Sequence, residues 1–63
     1  MTTHRSVSVY DGRTYEGRLV ELGPDRYQAF DYLDRDLGTF SLVEAVATVE
    51  MSSTIAFERG ERA

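Results

Sequence analysis

The chain has no cysteine, no lysine and only one histidine in 63 residues. Without cysteine there is no disulfide to brace it and no thiolate to hold a metal. His4, near the N-terminus, has no serine or cysteine partner on a rigid element, so a nucleophile–base pair is not expected. No run of about 18 apolar residues occurs, so no segment is read as crossing a membrane. Met1-Thr2-Thr3-His4-Arg5 lacks the apolar stretch of a secretion signal, and the expected location is cytoplasmic. No Pro-rich, Gly-Ser-rich or repeated segment divides the chain. Residues 1–63 are read as one domain, with an ordered core over about 5–57 and loose termini.

The missing lysine leaves seven arginines against eleven Asp and Glu, a net charge of −4. That balance repels phosphate. Nucleic-acid modules normally carry the opposite sign. Arginine favours planar, bidentate pairing with carboxylates. It is also what GC-rich coding supplies in place of lysine. A chain this short buries only roughly 60% of its unfolded surface. Small scaffolds are usually braced by a disulfide, a metal or a partner chain. With no cysteine and one terminal histidine, a partner chain is the expected support.

What the chain does contain is a clear strand-to-helix junction. Ser41 and Glu44 stand in the capping-box relation. Leu42, Ala45, Val46 and Val49 follow at i, i+3, i+4 and i+7, the apolar stripe of an amphipathic helix. The weak helical preference of Ser52-Ser53-Thr54 predicts an end near Met51. Ile55-Ala56-Phe57 would then follow the helix, either as a clasp on the core or as a strand for another chain. Residues 58–63 are charged and read as loose.

Before the helix, polar and apolar residues alternate with the strand period over 5–10 and 14–22, and further strands are expected over 27–32 and 37–40. Asp11-Gly12 is a hairpin signal, and Gly23-Pro24 breaks the next run. A two-residue loop would set Val9 opposite Thr14 and split the apolar residues between faces. A three-residue loop, or an equivalent bulge, pairs Val9 with Tyr15 and Val7 with Gly17. It keeps Val7, Val9, Tyr15 and Leu19 together, and is favoured because a one-residue slip moves a whole face. Gly17 marks a bend or a close approach of the helix. The expected fold is α+β (ββββα), a three- to four-stranded antiparallel sheet with one C-terminal helix packed on one face. Leu42, Ala45, Val46 and Val49 would meet Val7, Val9, Leu19, Phe40 and either Ala29 or Phe30. The other face would stay open.

Tyr10-Asp11-Gly12-Arg13, Gly17-Arg18, Ala29-Phe30-Asp31, Leu37-Gly38-Thr39-Phe40 and Glu44-Ala45 together carry a resemblance. The chain resembles short bacterial and phage-associated proteins with this strand-to-helix junction. Over residues 7–50 the layout is similar to AP2-like integrase arm-binding domains, whose three-stranded sheet enters the DNA major groove. The resemblance implies topology and a mobile-element context. It departs where those domains carry basic strands, since Asp11, Glu16, Glu21, Asp25, Asp31, Asp34 and Asp36 stand there. DNA binding is therefore not carried over.

Asp31, Asp34 and Asp36 form the densest acidic group. The Asp34-x-Asp36-x-Gly38 spacing has the outline of a calcium loop, but Ala45 stands where the closing glutamate belongs. These aspartates are read as turn residues that accept backbone N–H groups, and no metal, cofactor or catalytic set is expected. The glycines sit singly rather than in a phosphate-cradling loop, and the chain leaves little room for an enzyme-sized pocket.

Four tyrosines, Tyr10, Tyr15, Tyr27 and Tyr32, are a high density for this length. Tyrosine is common in strands, but Tyr and Arg are also enriched at interface hot spots. Tyr10, Tyr32, Arg13 and Arg18 are placed on the open face. The candidate partner-binding set is Tyr10, Arg13, Arg18, Tyr32, Asp31, Asp34 and Asp36. The expected function is a small acidic, non-enzymatic module that binds a protein partner or its own twin. A sharper form is a phage or mobile-element inhibitor whose carboxylates mimic nucleic acid. The alternatives are a nucleic-acid-binding sheet and a structural homodimer.

Overall fold

The computed structural model describes residues 5–61; the expectations for His4 and the other residues of 1–4, and for 62 and 63, fall outside that range. Four strands, β1 (Ser6–Asp11), β2 (Thr14–Gly23), β3 (Arg26–Asp31) and β4 (Asp36–Phe40), precede one helix, α1 (Leu42–Glu58). They form one antiparallel sheet in the order β1-β2-β3-β4. The fold is the expected ββββα.

Each hairpin corrects its register with a bulge. In the first, Asp11 pairs with Thr14 and Tyr10 with Tyr15, around a Gly12-Arg13 loop. Gly12 sits at φ +61°, as the first position of a primed turn can require. Past Tyr15 the extra residue Glu16 shifts the pairing, so Val9 faces Gly17 and Val7 faces Leu19. The bulge keeps Val7, Val9 and Leu19 on one side, as the apolar pattern demands. It acts after Tyr15, however. Tyr15 pairs with Tyr10 on the opposite face, which corrects the expected Val9–Tyr15 pairing. Leu22 and Leu37 are the extra residues of the other two hairpins.

The pleat thus makes two sets of cross-strand rows. Val7–Leu19–Ala29–Gly38 and Val9–Gly17 are on the helix side of the sheet, but Val7, expected in the core, sits on the edge strand and stays 46% exposed. Ser8–Arg18–Phe30–Asp36, Ser6–Val20–Gln28–Thr39 and Tyr10–Tyr15 lie on the other side. Leu19, Ala29, Ala45 and Val49 are the fully buried centre, with Val9, Tyr27, Leu37, Phe40 and Val46 packed round it. Ala29, and not Phe30, supplies the core position of β3. At Gly17, φ is +154° and an added Cβ would lie 2.8 Å from Val49 Cγ1 and collide with the Phe30 carbonyl oxygen. The helix therefore does approach the sheet closely there. Leu42, expected in the core, is part exposed. It enters the helix over the β2–β3 turn, where Asp25 Oδ1 accepts its N–H (3.1 Å).

The helix does not stop at Met51. Ser52-Ser53-Thr54 continue it, with Ser53 buried and the Thr54 hydroxyl donating to the Glu50 carbonyl (3.0 Å). Low intrinsic propensity costs only about 0.5 kcal/mol per residue, and packing outweighs it. The end lies at Gly60 (φ +75°). The Glu61 N–H donates to the Ala56 carbonyl (2.8 Å) and the Gly60 N–H to the Phe57 carbonyl (3.1 Å), a Schellman closure. Ile55, Ala56 and Phe57 are therefore helical rather than a separate clasp or strand. Residues 58–61, expected to be loose, complete the helix and its cap.

Candidate functional site

The face of the sheet opposite α1 has no element of the described chain over it. Along its middle row Arg18 of β2 lies over the Phe30 ring of β3, 4.2 Å from guanidinium carbon to ring centroid. The row places the two side chains directly opposite each other. Asp34 then clamps the arginine from the β3–β4 turn, with Arg18 Nε donating to Oδ1 at 2.7 Å. The guanidinium thus meets the ring on one face and the carboxylate at Nε, both of which favour this placement. Beside it Tyr10 and Tyr15 meet edge-to-face, with centroids 5.5 Å apart. Tyr10 keeps 59% of its surface exposed.

The turn that supplies Asp34 is built by Asp31. Asp31 Oδ1 accepts the N–H groups of Leu33 (3.0 Å) and Arg35 (2.8 Å), and Oδ2 accepts Arg35 Nε (2.7 Å). Burial pushes the Asp31 carboxyl upward. The Arg35 N–H and guanidinium and the Leu33 N–H outweigh burial and hold its pKa below the ordinary value. This organised turn puts Asp34 at φ +68°, in reach of Arg18.

The seven candidate residues thus separate by position. Tyr10 and Arg18 lie on the open face, with Asp36 at the end of the Arg18–Phe30 row. Arg13 is exposed in the β1–β2 loop, and Asp34 stands at the face's edge. Asp31 is only 2% exposed and bonds within its own turn, so it has no surface to offer a partner. Tyr32 leaves the face altogether. Its hydroxyl donates to the Glu61 carbonyl (3.2 Å) and ties the β3–β4 turn to the end of α1. The Asp36 carboxylate accepts the Gly38 N–H (2.9 Å) beside the β4 bulge. Tyr15 and Phe30 belong to the surface and were not in the candidate set. The signal for Phe30 is its alternation with Ala29, and the signal for Tyr15 is the bulge.

Among the described residues, no three His, Cys, Asp or Glu side chains gather closely enough to hold a metal ion. No described helix is long and apolar enough to cross a membrane. No family model, curated protein or solved structure matches the chain.

Proposed function

We propose that the protein is a non-enzymatic interaction module that presents its open sheet face to a protein partner. The observation that carries this reading is the Arg18–Phe30 stack clamped by Asp34, beside the Tyr10–Tyr15 pair. Arginines and tyrosines dominate binding energy when desolvated. Side chains already fixed lose less entropy on docking. The net charge of −4 favours encounter with a basic protein. A nucleic-acid-binding site of a host enzyme is such a target, and an inhibitor of phage or mobile-element origin would use it in this way.

The test is capture from lysate at low salt, with the wild-type chain and a Tyr10→Ser/Arg18→Ser variant side by side. A basic protein held by the wild type, released by added DNA and lost with the variant is the expected result. Equal capture by both chains would remove the face from the account. Direct binding of the wild-type chain to DNA or RNA tighter than about 10 µM at moderate salt would favour base stacking on the same face instead.

A further inference from the structure

The two edges of the sheet are built differently. β4 guards its own edge, since it opens on Asp36, carries the Leu37 bulge and bends at Gly38 (φ +114°). β1 has none of these devices. Ser6–Tyr10 holds no charge and no proline, and the bulge of its hairpin lies on β2 at Glu16. No described strand pairs with its outer side. The direction of its peptide groups follows from one bond. The Arg5 carbonyl accepts the Glu21 N–H (2.8 Å), so Arg5, Val7 and Val9 turn their peptide groups toward β2. Ser6, Ser8 and Tyr10, one step out of phase, turn theirs outward. Helix α1 packs over Leu19 of β2 and Ala29 of β3, and it leaves Val7 half exposed at this edge.

We infer that two copies of the chain pair their β1 strands antiparallel about a two-fold axis at Ser8, joining their sheets into one. Three features of the strand choose a second copy as the occupant. The first is hydrogen-bond phase. In this register Ser8 meets Ser8 of the partner subunit and Ser6 meets Tyr10 of the partner subunit, so each outward peptide group faces another outward one. The second is charge. The same register sets Arg5 opposite Asp11 of the partner subunit, once on each side of the axis. No other charge lies between them on the strand, so the contact is neutral and the net charge of −4 lies outside it. The third is packing. Val7 meets Val9 of the partner subunit on the helix side, in the closer kind of antiparallel pair, and the exposed valine is covered. A two-residue shift of register would instead set Asp11 against a valine in one direction and Arg5 against a valine in the other. The pairing also supplies the partner chain that so small a domain is short of. An axis perpendicular to the sheet keeps both helices on one side, each over its own β2 and β3, with the two β1 strands between them. On the other side the Ser8–Arg18–Phe30–Asp36 row runs through Ser8 into its counterpart. Two Arg18–Phe30 stacks then share one continuous surface, about 14 Å apart at the spacing of neighbouring strands.

Sedimentation equilibrium of the full chain from about 1 to 500 µM tests the pairing, with Ser8→Pro alongside. The wild type should rise toward twice the 7.1 kDa chain mass. The Ser8 N–H points away from β2, so proline there removes no bond of the chain's own sheet. Ser8→Pro should stay at the single-chain mass, or weaken pairing at least tenfold, with its circular dichroism unchanged. The absence of cysteine allows a second reading. Under mild oxidation Ser8→Cys should cross-link two chains, because position 8 faces its own copy at about 5.5 Å between Cα atoms, within disulfide reach. Ser6→Cys, on the same edge and face but about 13 Å from its copy, should not. A single-chain mass for the wild type across the range overturns the proposal. So does a dimer of full strength in folded Ser8→Pro, and so does cross-linking at position 6 as readily as at position 8. Should Ser8→Pro lose its circular dichroism, the two cysteine variants decide alone. The capture experiment reads the side chains of the open face separately, so failure of one leaves the other standing.

Discussion

At the scale of single residues, the aspartates of the β3–β4 turn illustrate how one cluster divides its work. Asp31 spends its carboxylate on two backbone N–H groups and Arg35, Asp34 on Arg18, and Asp36 on the Gly38 N–H. The acidic spacing alone marks a turn, as expected. It does not distinguish the buried carboxylate from the exposed ones, because that depends on which residue ends β3 facing the helix. The depressed Asp31 pKa has a definite consequence for stability. A carboxyl whose folded pKa lies below its unfolded value contributes fully above the unfolded value, about 4, and loses that contribution as pH falls through the folded pKa. Acid unfolding should therefore include a step below about pH 4. Asp31→Ala should remove that step and, by leaving the Leu33 and Arg35 N–H groups unpaired, lower stability at neutral pH by about 3 kcal/mol. Chemical denaturation across pH 2–7 reads both effects, and an acid limb unchanged by the substitution would contradict the role given to Asp31.

At the scale of elements, the two ends of α1 differ in how plainly they can be read. Ser41 and Glu44 announce the start. In the structure Ser41 Oγ accepts the Glu44 N–H (3.4 Å) and donates to Glu44 Oε1 (3.0 Å). The end is written in Gly60, whereas Ser52-Ser53-Thr54 suggest an earlier stop that packing overrides. The first hairpin shows the same division. Asp11-Gly12 locates the turn, and the apolar pattern of Val7, Val9 and Leu19 selects their shared face. The side on which Tyr15 falls depends on where the bulge sits, and only Gly17, squeezed beneath Val49, hints at it. Because Asp25 also accepts the Leu42 N–H, the helix start has two supports. Ser41→Ala should therefore cost about 1 kcal/mol. In a domain of this size that lowers the melting temperature by about 4–8 °C. An unchanged melting temperature would show that the cap contributes nothing.

At the scale of the whole molecule, one helix serves a four-stranded sheet, and the account follows from that imbalance. The helix closes one face over Leu19 and Ala29 and leaves the Ser8–Arg18–Phe30–Asp36 row open. Topology of this kind is legible from periodicity, since the strand and helix repeats differ so clearly. The chemistry of the open face is legible only in outline. Tyr10 and Arg18 fall on the open face as their strand positions suggest, but Tyr32 serves the fold, and Phe30 becomes part of the surface only once the register is known. The most direct test is an NMR titration of the isotopically labelled chain with a basic protein recovered in the capture experiment. The predicted result is amide and side-chain shifts concentrated at Ser8, Tyr10, Tyr15, Arg18 and Phe30, fading as added salt screens the encounter. Shifts confined to α1, with those five residues unmoved, would contradict the claim that the open sheet face is where this protein works.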